Sequence, residues 1–294
     1  MERQLWKAIV LLIGKIEKPK ANVRNEFSDE VIVKIWMWSV IHDRPVSWAC
    51  CRENWPIQER RWKRPSNATM SRRLSSANVQ YLLKQLEQRV LCNREGGNLV
   101  WFIDGKPMTI GGCSKDRQAG YGRASSGMAR GYKLHAIVGS DGSVPEWRVA
   151  PMNVDERRMA ERMLKVASIQ GYIVADANYD SNKLHSCCER SGNLQFLTPR
   201  RYGASRGFGH RKQTESRLRS AHILEDPYPE FGTDLMKQRV EIERYFGNLT
   251  NWGGGLSCLP AWARTHRRVH RWVQAKLILN ALKRATRQTT YVNS

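Results

Sequence analysis

Two apolar runs of strand length, "LVWFI" before Asp104 and "YIVA" before Asp176, each lead directly into an aspartate. A short, wholly apolar run bounded by turn formers is the pattern of a strand covered on both faces. The first run therefore predicts a buried strand ending near Asp104, and the second one reaching Asp176. A strand-terminal aspartate often does no more than begin a turn, and Asp104-Gly105 is good turn chemistry. Two such carboxylates on neighbouring strands are different, because burying unpaired carboxylates costs several kcal/mol and a pair of them calls for a cation.

The segments around these runs fill out a sheet. "SKDRQAGYGRASSG" reads as a polar, glycine-rich loop, and "GYKLHAIVGSDGSVPEWRVAP" as a β-hairpin turning at Ser140-Asp141-Gly142. "NVDERRMAERMLKVASIQ" reads as a helix, with Asn153 and Glu156 spaced as a capping box and Met159, Met163 and Val166 forming an apolar stripe. "SNKLHSCCERSG" is a short helix capped by Ser181 and stopped by Gly192, and "LQFLTP" a third apolar strand. Strand, strand, strand, helix, strand, helix, strand and a late helix predict an α/β fold, a mixed sheet flanked by helices. That is also the chain order of the RNase H fold.

Upstream, residues 1–95 read as an all-α domain of the helix-turn-helix kind. Ser28 precedes a stripe of Val31, Ile35, Trp38 and Ile41, Pro45 opens a short helix, and Asn67 can cap a segment carrying Arg72 and Arg73 on its early turns.

Charge narrows the partners. Forty-nine Lys and Arg against 27 Asp and Glu give a formal +22, which implies an anionic partner, most simply nucleic acid. The longest apolar run, residues 8–14, is far shorter than the ~20 residues of a membrane span and lacks the features of a signal peptide. Seven cysteines with no C-x-x-C pair make a structural zinc site or a disulfide framework improbable and suggest reduced thiols in the cytoplasm. The basic run at residues 199–220, containing Arg200, Arg201, Arg211 and Lys212, predicts a mobile loop that clamps phosphates. Beyond the Trp252-Gly-Gly-Gly hinge, residues 255–294 predict one long basic helix. Trp272, Leu279 and Leu282 line its core side, and Arg264, Arg267, Arg268 and Arg271 crowd its first turns, where an external phosphate would relieve their conflict with the helix dipole.

A third carboxylate is expected from "MKQRVEIERYFGNLT", an amphipathic helix with Ile242, Phe246 and Leu249 facing inward. Glu241 and Glu243 flank that stripe on opposite sides, and periodicity does not choose between them. A resemblance does. "FIDGKP", "GYKLHAIVGSDG", "VADANYDS" and "RVEIERYFGNL", within residues 98–252, resemble the motifs of bacterial insertion-sequence transposases with a DDE triad, members of the retroviral-integrase superfamily. The resemblance implies an RNase H-like catalytic domain over residues 96–254 and a triad of Asp104, Asp176 and Glu243, with Arg239 four residues ahead of the glutamate as a DNA contact. It implies two Mg²⁺ ions, with Mn²⁺ substituting, hydrolysis at element ends, and 3′-hydroxyl attack on target DNA. The implied partner is double-stranded DNA, terminal repeats and target, bound by a homodimer on paired ends. Where the family signature carries a tyrosine and a lysine, this chain has Met236 and Thr250. Two other readings fit the same residues: a repressor that keeps the fold without cutting, and a cellular RNase H-like nuclease. Asp180 reads as structural, starting the helix at Ser181.

Overall fold

The computed structural model describes residues 2–17, 25–92, 97–125, 127–201, 213–225, 230–251, 256 and 258–292, with side chains of the last helix described to Thr286. Arg211, Lys212 and the Trp252-Gly-Gly-Gly segment lie outside the described residues. The chain forms two units: Met1–Asn93 with Trp252–Gly254 and Arg271–Ser294, and Arg94–Asn251 with Gly255–His270.

The first unit is helical: α1 (Glu2–Gly14), α2 (Asp29–Ile41), α3 (Val46–Cys50), α4 (Asn67–Arg73) and α5 (Ala77–Leu91). α2 begins as expected, with Ser28 Oγ accepting the Val31 N–H at 3.4 Å. The segment from Asn67 is two helices rather than one, joined through Leu74, Ser75 and Ser76, and its cap is Ser66, whose hydroxyl accepts the Thr69 N–H at 3.1 Å. Trp38 stacks on Trp55 with centroids 4.8 Å apart, and Trp6 meets Trp38 edge-on at 5.2 Å. Such aromatic packing secures a small helical core.

The second unit carries the sheet. Its strands are β1 (Val100–Thr109), β2 (Gly120–Ala124), β3 (Gly127–Gly139), β4 (Glu146–Pro151), β5 (Gly171–Val174) and β6 (Leu194–Leu197). The order is β2-β3-β1-β5-β6, with β4 also on β3. β3 runs antiparallel to β1, β2 and β4, whereas β5 and β6 run parallel to β1. Helices α6 (Glu156–Leu164) and α7 (Asn182–Glu189) are followed by α8 (Glu215–Glu225), α9 (Glu230–Lys237) and α10 (Val240–Asn251). This is the mixed, RNase H-like α/β sheet that the sequence order predicts. The last helix, α11 (His266–Val292), contributes His266 to His270 to this unit and its remainder to the first.

Three local expectations are corrected. β1 continues five residues past Asp104, because β3 pairs with it as far as Thr109. The glycine-rich loop contains β2, which pairs with the first residues of β3. The α6 cap is Asp155 and not Asn153: its carboxylate accepts the Arg158 N–H at 3.2 Å.

One face of β1 sets Trp101 and Ile103 into a core with Ile137, Met163, Ile173, Tyr179, Leu184 and Phe196. Alternation puts Phe102 and Asp104 on the other face. β5 can lie against β1 only because it opens with Gly171, at φ +95°, where an added Cβ would stand 2.2 Å from the Leu99 carbonyl oxygen. Gly171→Ala is therefore expected to destabilise this unit by at least the ~1–3 kcal/mol of a strained left-handed residue. Urea unfolding followed by tryptophan fluorescence checks it, and an unchanged midpoint would refute the account.

Candidate active site

The register brings the two aspartates together. Phe102 pairs with Val174 at the end of the β1–β5 ladder, and Asp104 and Asp176 each lie two residues further on. Asp104 is held mid-strand, with Oδ1 accepting the Gly105 N–H at 2.7 Å and about a quarter of its side chain exposed. Burial pushes its carboxyl up to about 6, the charges of Asp176 and Glu156 add to the rise, and the Gly105 amide and Arg239 oppose it. Asp176 caps a 3-10 turn (Ala177–Tyr179), accepting the Asn178 N–H at 2.9 Å. Thr198 Oγ1 donates to the Asp176 carbonyl at 2.7 Å, which fixes the backbone there.

The third element is α10, which packs on β1 through a stripe that buries Ile242, Tyr245, Phe246 and Leu249. Glu243 accepts from Arg239 Nη2 at 2.6 Å, and Arg239 Nη1 lies 3.9 Å from Asp104 Oδ2. One guanidinium thus spans Asp104 and Glu243. Glu241 pairs with Arg244 instead. Among the described residues no three His, Cys, Asp or Glu side chains are close enough together to hold a metal ion. The donors are nonetheless of the kind hard divalent cations take, carboxylate oxygens with one carboxyl short of solvent and close to others. Arg239 supplies the positive charge in this arrangement.

Two residues near these carboxylates escaped the sequence reading. Glu156, read only as half of a capping box, adds a further negative charge beside Asp104 and pairs with Lys133. Lys106, two residues along β1 from Asp104, donates to the hydroxyl of Thr250, which in turn donates to the Phe246 carbonyl at 2.9 Å. An ammonium group from β1 therefore stands at the position where the resembling motif would place a lysine on α10. Their signals were present in sequence, an acid at the start of α6 and a lysine two residues after the first aspartate, but neither spacing is distinctive.

The basic residues divide. Arg72, Arg201, Arg267 and Arg268 are exposed. Arg200 is half-buried and pairs with Glu225 at 2.5 Å. Arg73 and Arg271 are corrections: both are buried, Arg73 donating to Asp29 at 2.6 Å and the Phe27 carbonyl at 2.8 Å, and Arg271 to the Leu74 carbonyl at 2.8 Å. Their guanidinium groups stabilise the helical unit and are not presented to a phosphate. The last part of the expected loop is helix α8, and its Arg217 is buried against Asp180. Asp180 is structural, as expected, but its main partner is Arg217. Among the described residues no helix is long and apolar enough to cross a membrane.

Residues 95–278 match the family model described as "Transposase DDE domain". A search of curated proteins gives no match.

Proposed function

The chain belongs to the transposase DDE domain family, and from that premise we propose that it is an active DNA transposase with Asp104, Asp176 and Glu243 as its catalytic acids. It hydrolyses phosphodiester bonds at the ends of a mobile element and joins the freed 3′-hydroxyl to target DNA. The observation that carries this reading is the desolvated Asp104 carboxyl beside Asp176, with Arg239 linking it to Glu243. The same link supports Glu243 over Glu241 as the third acid.

Asp104, Asp176 and Glu243 would hold two Mg²⁺ ions, with Mn²⁺ substituting. When bound, such ions supply positive charge at the scissile phosphate and an oxygen nucleophile at neutral pH. The chain's own residues do the rest. The β1–β5 register fixes the spacing of the two aspartates, and α10 delivers the glutamate from a rigid element. Arg239 holds Glu243 near Asp104 until another cation relieves it, after which its guanidinium is free to take a phosphate oxygen. Exposed Arg72, Arg201, Arg267 and Arg268 are positioned for backbone contacts that fix register without reading sequence. In functional terms residues 1–95 read DNA, residues 96–254 carry the chemistry, and the basic helix within 255–294 adds affinity. A homodimer on paired ends in the cytoplasm, at the nucleoid, completes the reading.

One observation favours a second reading, a repressor that binds without cutting: Arg239 already supplies the charge that a metal would bring. The test is nicking of a duplex carrying the element end, with Mg²⁺ or Mn²⁺. The native chain and Glu241→Gln are expected to cut, and Glu243→Gln to bind without cutting. Binding without cutting by all three would favour the repressor, and cutting by Glu243→Gln would remove that residue from the triad.

A further inference from the structure

The second unit has a cationic groove that the sequence reading passed over, because α6 drew notice only for its cap and its apolar stripe. It encloses about 530 Å³ along α6 and the start of α7. Arg158, Arg162 and Lys165 occupy successive turns on its α6 side, and Lys183 faces them from α7. All four are exposed.

Glu161 organises this groove. Its buried carboxylate accepts from Lys165 Nζ at 2.7 Å and from Lys183 Nζ at 2.8 Å, so one acid holds two ammonium groups from two helices side by side. Left alone, those ammonium groups would repel. The other acid of the groove, Asp155, is engaged as the α6 cap and by Arg157 at 3.0 Å. Among the described residues neither Arg158 nor Arg162 forms an ion pair. The groove thus has two guanidinium groups without an acid and a clamped ammonium pair with one spare charge.

The spacing matches a polymer rather than a single ion. Residues at i, i+4 and i+7 cover about 10 Å of helix, and one DNA strand advances about 3.4 Å per phosphate, so the α6 stripe spans roughly three phosphates. α7 follows directly on the turn that Asp176 caps, so the groove and that carboxylate belong to consecutive elements of the chain.

We propose that this α6–α7 groove is a track for the DNA backbone, with Arg158, Arg162, Lys165 and Lys183 on successive phosphates and Glu161 preorganising the two lysines. The inference rests on the transposase reading but on none of the DNA contacts assigned from sequence.

Binding of a fluorescent duplex carrying the element end, titrated with salt, tests it. Arg158→Gln/Arg162→Gln is expected to lower the slope of log affinity against log salt by about 2, since each lost phosphate contact removes about 0.9. An unchanged slope with this duplex and with one of unrelated sequence, standing for target DNA, overturns the proposal. Glu161→Gln makes the chain more positive, so simple attraction would tighten binding. The clamp requires the opposite, a fall in affinity at unchanged melting temperature, and tighter binding overturns the preorganising role. Strand transfer separates the two DNAs: its loss with end cleavage kept assigns the groove to target DNA, whereas loss of both assigns it to the element end. If the native chain neither binds nor cuts the duplex, the transposase reading has failed and takes this inference with it.

Discussion

Asp104→Asn is expected to abolish DNA cleavage and, in metal-free buffer at pH 8, to raise the melting temperature of the catalytic unit. The activity loss follows from removing an acid that would bind the divalent ions. Their electrostatic help is worth several kcal/mol, or about a thousandfold in rate. The stability gain follows from where the carboxyl sits. Its folded value is raised to about 6, chiefly by burial, from an ordinary 3.8. A carboxyl raised on folding contributes stability that is fully present below the unfolded value and lost as pH climbs through the folded one. The native chain therefore loses stability between about pH 4 and pH 7, on the order of 2–3 kcal/mol at most for a shift of this size. Asparagine has the same shape without the charge and escapes that loss. Thermal unfolding in EDTA should show the two chains diverging as pH rises, with the variant several degrees higher at pH 8. Added Mg²⁺ should raise the native midpoint and leave the variant nearly unmoved, because a ligand stabilises only the state that binds it. A variant that still cuts, or that melts below the native chain at pH 8, would remove Asp104 from the proposed role.

The same site shows what could be read from residue order and what could not. The two aspartates were visible because the apolar runs before them are local signals, and the mixed sheet was visible in the order of elements, but the parallel β1–β5 register that sets the two side by side was not. Ser28 and Ser181 were readable as caps for the same reason, since each bonds three residues ahead. Where β1 stops was not readable. "GKPM" is a poor strand by local preference, and it is held extended by Tyr132, Lys133 and Leu134 of β3, distant in sequence. Among the described residues no other strand pairs with β1 from Ile103 to Met108, which leaves room for Pro107 with its missing N–H. β2 was hidden likewise, because two glycines in five residues look like a loop until β3 offers them a ladder. The choice between Glu241 and Glu243 came only from resemblance. In space Arg239 pairs with Glu243 and reaches back to a strand 135 positions earlier in the chain, a contact that no local pattern announces. Charge was the most deceptive signal. A net +22 says that anions are near, but not which arginines meet them. Arg73 and Arg271 are buried by partners 44 and 197 residues away.

Arg217 is the strongest case of that kind, and its replacement should have the largest effect on folding. It lies in the basic run that reads as a phosphate clamp, yet its side chain is 3% exposed and that of Asp180 2%. The two form a bidentate pair, Nε to Oδ1 at 2.9 Å and Nη2 to Oδ2 at 3.0 Å. The Arg201 amide also donates to Asp180 at 3.4 Å. His185 lies 3.8 Å away with its imidazole brought down to about 4, mainly by burial, so in the native chain it is neutral at pH 7 and Arg217 is the cation that faces Asp180. Arg217→Met therefore strands a buried carboxylate and is expected to cost about 3–5 kcal/mol, a large part of the 5–15 kcal/mol that holds a typical domain together. Asp180→Leu/Arg217→Met removes both charges and should recover most of that loss, since a buried pair is worth little more than apolar residues of similar volume. Urea unfolding of the two single variants and the double variant measures the coupling. If Arg217 were instead a DNA contact, Arg217→Met would unfold like the native chain and lower the salt slope of duplex binding by about 1. The buried pair requires the reverse, an unfolding midpoint shifted far down and a salt slope left where it was.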